Sequence, residues 1–270
     1  MRLSTTRRRL LFVAILGLGI VLIGTETYLL SPSVRSVVVA GAERVGADDY
    51  LVSRLSDRDL RVRGDASEAL VRRGAKAVPA LVARLDDPDP GNRRSAATTL
   101  ARIGPAAVEA IPALLRIAME DEDEGVLETA GQAVGVVARD HPGTVSDILV
   151  MLESPADSSR LAATRAAACL DDPRAVPPLM MSLKHANPKV REEAAESLGS
   201  LGKLATPALP ALVEILDDPE DEVRSEAREA IAKIIKNGSD GLDAELVARA
   251  KRSLEKAAVR RITPPPTPDP

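Results

Sequence analysis

The residues that could do chemistry in this chain are few. Its 270 residues contain two histidines, His141 and His185, and one cysteine, Cys169. A lone cysteine can form neither an intrachain disulfide nor a multi-cysteine zinc site. No lysine or histidine pair lies beside Cys169 in the sequence to lower the pKa of its thiol. We therefore expect no catalytic residue, no metal and no cofactor.

An acidic run that ends at Gly125 is the best candidate for a calcium loop. Glu120, Glu122 and Glu124 have the spacing of ligands one, three and five of an EF-hand loop. The twelfth position is then Gly131, where such a loop needs a bidentate glutamate. The run is therefore interpreted as a solvated acidic turn before a helix, where negative charge favours the helix N-terminus.

Composition also argues against a nucleic-acid partner. The only aromatic residues are Phe12, Tyr28 and Tyr50, so the sequence offers almost no rings on which bases could stack. Lysine and arginine number 36 against 40 aspartates and glutamates, a net charge of −4. A nucleic-acid-binding protein usually shows a basic surface instead.

The N-terminus has the pattern of an anchor or a targeting segment. Residues 1–9 carry Arg2 and three consecutive arginines that begin at Arg7. A segment over residues 10–30 follows, which is apolar up to Gly24 and then contains Glu26. As a helix of ~1.5 Å rise per residue, this stretch is long enough to cross a bilayer. The positive charges then predict a cytoplasmic N-terminus and an extracytoplasmic remainder, as a single-pass membrane protein. A cleaved signal peptide, with secretion of the remainder, is the alternative.

A pattern of about thirty residues repeats along the rest of the chain. It is aligned on six reference positions: Arg63, Arg93, Leu127, Arg160, Arg191 and Arg224. Offsets of three, seven and ten from each reference are apolar, except at Arg73, and these offsets describe one face of a helix. A second helix begins at apolar-proline pairs such as Val78-Pro79 and Leu209-Pro210, where proline suits a first turn. The connecting turns are rich in Asp and Pro.

Each unit of the pattern is thus a helical hairpin with too little core to stand alone, so neighbouring hairpins must stack. The sequence predicts an all-α fold, an α-solenoid (α-α superhelix) of about six hairpins preceded by one transmembrane helix. The expected boundaries are a basic segment at 1–9, the anchor at 10–30, a linker at 31–45, the repeat array at 46–238, a capping helix at 239–262 and a disordered Pro-rich tail at 263–270.

Three stretches carry a resemblance to a known family: DDPRAVPPL at 171–179, NPKVREEAAESLGSLG at 187–202 and DDPEDEVRSEAREAIAKI at 217–234. They resemble HEAT repeats, most closely the short bacterial kind also found in phycobilin lyases. The family often places an aspartate in the turn and an arginine in the second helix, aligned between neighbouring repeats. The resemblance therefore implies a structural inter-repeat ladder of Asp57, Arg63, Asp87, Arg93, Arg160, Arg191, Asp218 and Arg224.

Arrays of this kind commonly bind partners on the concave face formed by the second helices. Offsets one and five from each reference position are expected to point outward there. The predicted partner-binding residues are Glu68, Arg94, Glu128, Gln132, Arg165, Glu192, Glu196 and Glu229. The hypothesis is a membrane-tethered, non-enzymatic scaffold for a protein partner, with a basic or extended segment as the best match. The alternatives are a phycobilin-lyase-like chromophore attachment protein or other enzyme accessory, and a structural spacer in a membrane complex.

Overall fold

The computed structural model describes the greater part of the chain: residues 12–16, 19–23, 32–237, 245, 248, 250–252 and 254–255. They fall into two compact units, residues 1–133 and 134–270. The predicted basic segment at 1–9 and the tail at 263–270 lie outside the described residues.

The apolar N-terminal stretch contains strands where a helix was predicted. β1 (Phe12–Leu16) pairs antiparallel with β2 (Gly19–Ile23), with Phe12 opposite Ile23 and Leu16 opposite Gly19. The transmembrane-helix prediction for residues 10–30 is therefore wrong over these two segments. The stretch is rich in β-branched Val and Ile, and an apolar run by itself does not distinguish helix from strand. Among the described residues, no helix is both long and apolar enough to span a bilayer.

A helix also replaces the linker expected at 31–45. α1 (Pro32–Val45) begins with proline, as first helical turns often do. Val38, Val39 and Ala42 are at most 3% exposed, so this helix contributes to the core of unit one. The prediction missed α1 because the repeat pattern begins only after it.

Six helical hairpins follow in the described range 46–237, as the repeat pattern predicts. Their first helices are α2 (Asp48–Arg54), α4 (Val78–Arg84), α6 (Ile111–Glu120), α8 (Pro142–Met151), α10 (Val176–Ser182) and α12 (Leu209–Glu214). Their second helices are α3 (Leu60–Arg73), α5 (Pro90–Ile103), α7 (Glu124–Ala138), α9 (Asp157–Ala167), α11 (Pro188–Leu201) and α13 (Asp221–Asn237). Short 3₁₀ turns such as Gly104–Ala110 and Gly202–Ala208 lead into first helices.

Polar side chains in the turns cap the N-termini of several second helices. Asp59, Asp89 and Asn187 each accept a hydrogen bond from the backbone N–H two residues later, at 2.8–2.9 Å. Such caps satisfy amide groups that a helix N-terminus leaves without partners. Pro90 and Pro188 then occupy the first helical position, where the missing N–H costs nothing.

The apolar face of the second helices forms the core of each unit. In unit one, Ala66, Ala96 and Ala130 are fully buried, as are Leu70 and Leu100. The equivalent positions in unit two are equally buried: Ala163, Ala194, Ala227, Leu198 and Ile231. The small alanines allow neighbouring helices to approach closely, which suits a core almost without aromatic rings.

Arg73, the one polar residue at offsets three, seven and ten, lies at the end of α3 against α1 and α2. Its guanidinium pairs with the carboxylate of Asp48 and donates to the carbonyl of Glu43 at 3.3 Å. An apolar residue at this position could not satisfy those groups.

The fourth hairpin departs from the pattern at the end of α9. The second helices α5 and α11 are followed directly by Gly104 and Gly202, whose φ angles of 72° and 56° favour glycine. The fourth hairpin instead uses Asp171, with φ 53°. Arg139, the residue after α7, fixes this segment by donating to the carbonyl of Cys169 at 2.7 Å and pairing with Asp171 at 3.1 Å.

The predicted capping helix at 239–262 lies only partly within the described residues. Glu245, Ala248, residues 250–252 and residues 254–255 are helical, and Ala250 is fully buried. The remainder of 239–262 lies outside the described residues.

Candidate functional site

The predicted inter-repeat ladder is clearest in unit one at Arg93. Its Nε and Nη2 donate to the two carboxylate oxygens of Asp121, in the next hairpin, at 2.7 and 2.6 Å. Its Nη1 donates to the carbonyls of Asp87 at 2.8 Å and Pro88 at 3.2 Å. Burial raises the pKa of Asp121, but the bonds from Arg93 and from the Asp123 amide outweigh it, so the net pKa is lowered.

Unit two repeats this arrangement at Arg191. Nε and Nη2 donate to Asp218 at 2.8 Å each, and Nη1 donates to the carbonyls of His185 and Ala186 at 2.9 and 3.1 Å. The pKa of Asp218 is lowered in the same way: burial raises it, but the hydrogen bonds from Arg191 and from the Glu220 amide outweigh that effect. Bidentate bonds of this kind are strong and geometrically specific.

The other ladder arginines use backbone carbonyls. Arg63, Arg160 and Arg224 donate to the carbonyls of Asp57, Ser154 and Asp218, each six residues earlier. The pairs that the sequence suggested, such as Asp57 with Arg63, therefore meet through the aspartate's carbonyl. The carboxylate of Asp57 is instead 3.5 Å from Arg54 in a buried ion pair.

The predicted partner-binding residues of unit one lie at the surface. Glu68 is exposed and pairs with Arg102. Arg94 and Glu128 are exposed, and Gln132 is half-buried and donates to Glu128 at 3.2 Å.

Arg165 in unit two does not point outward, as its repeat position predicted. It is 4% exposed, and its Nε and Nη2 donate to Oε1 of Glu193 at 3.0 and 2.7 Å. Glu193 lies on α11, which packs directly on α9, and is 6% exposed. Because this carboxylate neutralises the guanidinium inside the interface, the long side chain can be buried there.

The remaining predicted residues of unit two contribute to an acidic face on α11 and α13, formed by Glu192, Glu196, Glu226 and Glu229. Glu229 is exposed, and the other three are half-buried. The two helices approach closely because Gly199 lies against Ala230: a Cβ on Gly199 would come within 2.9 Å of the Ala230 Cα. This approach brings acidic side chains of both helices together.

Charges within the acidic face are unevenly balanced. Burial raises the pKa of Glu226, and the charges of Glu229, Glu192 and Glu193 raise it further, although the charge of Lys233 offsets part of this effect. Lys233 donates to Glu229 at 2.8 Å, and this hydrogen bond is the main reason that its pKa is raised. Glu192 is 3.1 Å from Lys189. The face therefore keeps an excess of negative charge.

Glu226 and Lys233 were not among the predicted site residues. The prediction took offsets one and five from Arg224 and omitted offset two. Positions 226, 229 and 233 lie on one helical stripe, so the spacing of three and four residues could have identified them.

The side chains that could be reactive or bind a metal lie in surroundings that give them structural roles. Cys169 is half-buried, and burial raises the pKa of its thiol, which disfavours the reactive thiolate. In the acidic run before Gly125, Asp121 binds Arg93 and Asp123 accepts from the amide of Val126 at 3.0 Å. The described residues contain no group of three or more His, Cys, Asp or Glu side chains that could hold a metal ion.

The fold and these ladders define a helical-repeat protein. The sequence profile of HEAT repeats matches residues 49–135 and 145–232, more than half of the chain. The chain therefore belongs to the HEAT-repeat family. No curated protein matches it.

Several solved structures have a similar fold but are distant in sequence. The CpcE–CpcF phycocyanin lyase of Nostoc sp. PCC7120 is 21% identical, with a TM-score of 0.45, over 86% of this chain and 92% of that one. The Escherichia coli protein YibA is 19% identical, with a TM-score of 0.45, over 84% and 98%. A designed armadillo repeat protein in complex with the peptide (KR)4 is 19% identical, with a TM-score of 0.38, over 69% and 98%. At these identities the likeness concerns the fold alone.

Proposed function

We propose that this HEAT-repeat protein is a non-enzymatic scaffold that binds a protein partner through exposed faces of its second helices. Within unit two, the acidic face binds a basic segment of that partner. The observation that carries this proposal is the crowding of carboxylates around Glu226, whose negative charge Lys233 compensates only in part. A cationic side chain would relieve that crowding.

The preceding repeat interface indicates what such a cation would do. At that interface Arg165 lies five residues after the reference position of the fourth hairpin, and Glu193 lies two residues after that of the fifth. These two side chains form a buried ion pair. One repeat later, the same two positions are Glu196 and Glu226. The anion is retained and the arginine is replaced by a second acid. A lysine or arginine from a partner would supply the charge that Arg165 supplies one repeat earlier.

A binding role also agrees with the state of the ionisable groups. The buried charges of Arg165, Glu193, Asp121 and Asp218 are held in ion pairs between hairpins, and the thiol of Cys169 has a raised pKa. Accessible charged groups such as Arg94 and Glu229 lie instead on helix faces, where they can contact a macromolecule. Charge on such a surface contributes to specificity and to the rate of association.

The test of the acidic face is a binding titration of the full chain with short labelled peptides that alternate lysine or arginine with alanine. Charge reversal by Glu192→Lys, Glu196→Lys and Glu229→Lys together should weaken binding by about tenfold or more. The matched control reverses Asp140, Asp147 and Glu153, which are exposed acids elsewhere in unit two, and should change binding by less than about twofold.

Two outcomes would contradict the proposal. Binding that survives reversal of the acidic face would place the partner elsewhere. A wild-type chain without saturable binding to any basic peptide would favour the structural-spacer alternative. If the acidic face binds as proposed, crosslinking in native cells, compared between wild type and the triple variant, should identify the partner by its loss from the variant.

A further proposal concerns location and rests on the sequence of residues 1–30. Arg2 and the arginines from Arg7 to Arg9 precede an apolar stretch, and we propose that this segment directs the repeat array to the extracytoplasmic side of a membrane. Cell fractionation with protease protection tests it. Repeat domains that remain protease-resistant in spheroplasts and fractionate with cytoplasmic markers would contradict it.

A further inference from the structure

An open groove of about 520 Å³ lies between α3 and α5 in unit one. Small residues form much of its lining, among them Gly64 on α3 and Thr98 on α5. Apart from the backbone of its own helix and its two chain neighbours, a Cβ added to Gly64 would have no atom of the described residues within 4 Å, so the groove has room directly above the helix backbone. We call this feature the unit-one groove.

Arg63 lines the groove, and unlike Arg93 and Arg191 it does not bind the aspartate of the next turn. Arg93 and Arg191 use Nε and Nη2 to bind the aspartate of the next turn. For Arg63 the corresponding aspartate is Asp87, whose carboxylate is 2.8 Å from Arg84 and accepts from Asn92 at 2.9 Å. Arg63 donates to backbone carbonyls through Nη1, and no carboxylate in the described part of the chain lies within ion-pair distance of it.

Arg94 is a second arginine along the same groove. It is exposed, and in the described ranges it too has no carboxylate within ion-pair distance. Its Nη1 lies against α7, at 3.0 Å from where a Cβ of Gly125 would be. Two arginines with unused guanidinium donors therefore line one groove, and the guanidinium of Arg94 lies on the side of α7. Guanidinium groups bind carboxylates bidentately, so the groove is complementary to an anionic ligand.

The groove also has an apolar element. Leu60 is 75% exposed and lines the groove near its arginines. No aromatic residue in the described part of the chain lines it, so this lining offers no platform for a nucleic-acid base. An open channel with an exposed leucine, small residues and two cations matches the alternating side chains of an extended peptide better than a compact anion.

We propose that the unit-one groove binds an extended acidic peptide segment, with carboxylates paired to Arg63 and Arg94 and an apolar side chain against Leu60. The inference rests on the proposed role as a protein-binding scaffold. It adds a second surface whose charge preference is opposite to that of the acidic face. The partner would then carry an acidic segment for unit one, in addition to the basic segment for unit two.

The experiment titrates the full chain with labelled peptides that alternate glutamate with leucine, valine or alanine, and with matched peptides in which glutamine replaces glutamate. The acidic peptides should bind saturably, and the glutamine versions should bind at least about tenfold more weakly. Arg63→Gln with Arg94→Gln should cause a loss of similar size. The charge-matched control, Arg58→Gln with Lys76→Gln, changes exposed groups outside the groove and should alter binding by less than about twofold.

Gly64 provides a test that leaves the charges unchanged. Gly64→Gln should block the groove and weaken acidic-peptide binding about tenfold, while Gly64→Ala should retain most binding. Both variants should fold, because the helical backbone at Gly64 has open space for a side chain. Arg94→Gln alone is a further check that avoids the turn contacts of Arg63, and it should still weaken binding measurably.

Several results would overturn the proposal. These are the absence of saturable binding by every acidic peptide, equal losses in the control pair, and unchanged affinity in Gly64→Gln. Saturable binding of inorganic phosphate or of an oligothymidylate in the groove, without peptide binding, would also overturn it. The triple charge reversal of the acidic face should leave acidic-peptide binding within about twofold or strengthen it, so the two proposals fail separately.

Discussion

The ion pair between Arg191 and Asp218 should be one of the main stabilising contacts between neighbouring hairpins of unit two. Their side chains are 12% and 6% exposed, and Arg191 also donates to the carbonyls of His185 and Ala186. Arg191→Met keeps much of the side-chain volume but leaves the carboxylate of Asp218 buried and without its bidentate partner. Removing one member of a largely buried pair costs about 3 kcal/mol. Urea unfolding followed by circular dichroism measures this change, since the chain has no tryptophan.

Arg116→Met is the matched control, because Arg116 forms a 2.5 Å pair with Asp86 whose side chains are 47% and 66% exposed. That variant should lose less than about 0.5 kcal/mol. A double-mutant cycle with Asp218→Asn should assign about 2 kcal/mol to the coupling between the paired side chains. Equal small losses in both arginine variants would refute the reasoning.

Acid provides an independent check of the same pair. The pKa of Asp218 is lowered in the folded chain, so the folded state binds a proton less readily than the unfolded state. Its stabilising contribution is therefore present above the unfolded pKa of about 3.9 and is lost as pH falls through the lower folded pKa. The stability difference between wild type and Arg191→Met should shrink below about pH 4. A difference that is constant across that range would contradict the linkage.

Three further predictions concern the close helix contacts of unit two. Gly135→Ala should cost about 1–3 kcal/mol in urea unfolding, because the added Cβ would overlap the carbonyl oxygen of Ala166. Arg165→Met should cost about 3–5 kcal/mol, whereas Arg165→Met combined with Glu193→Met should cost less, since no buried charge remains alone. Cys169 should react with a maleimide much more slowly in the folded chain than in urea, because burial raises its pKa; equal rates would contradict this.

Much of the fold could be predicted from the sequence because one helical face is repeated six times. Buried alanines recur at offset three, from Ala66 to Ala227, and they fix the register of every second helix. Aspartate or asparagine before proline marks where several of those helices begin. Such local signals agree with one another and with the tertiary packing, which is why the hairpins were correctly placed.

The unpredicted features depend on contacts that a repeat pattern does not encode. Arg165 and Glu196 occupy the same repeat position, yet one is buried and the other half-buried. Arg165 can be buried because Glu193 on the following helix neutralises its charge. The following helix has a glutamate at the equivalent position in both cases, Glu193 and Glu226, and only Glu193 has an arginine at the matching position of the preceding hairpin. Similarly, Arg63 and Arg93 look equivalent in sequence. Only Arg93 binds the aspartate of the following turn. The corresponding aspartate for Arg63 is Asp87, whose carboxylate already pairs with Arg84 and accepts a hydrogen bond from Asn92.

The most direct measurement of the central claim is hydrogen–deuterium exchange of the full chain with and without the tightest basic peptide. The account predicts slower exchange in α11 and α13 on binding, and no such change in the Glu192→Lys, Glu196→Lys, Glu229→Lys variant. Protection that is confined to other helices, or that persists unchanged in the variant, would contradict binding at the acidic face.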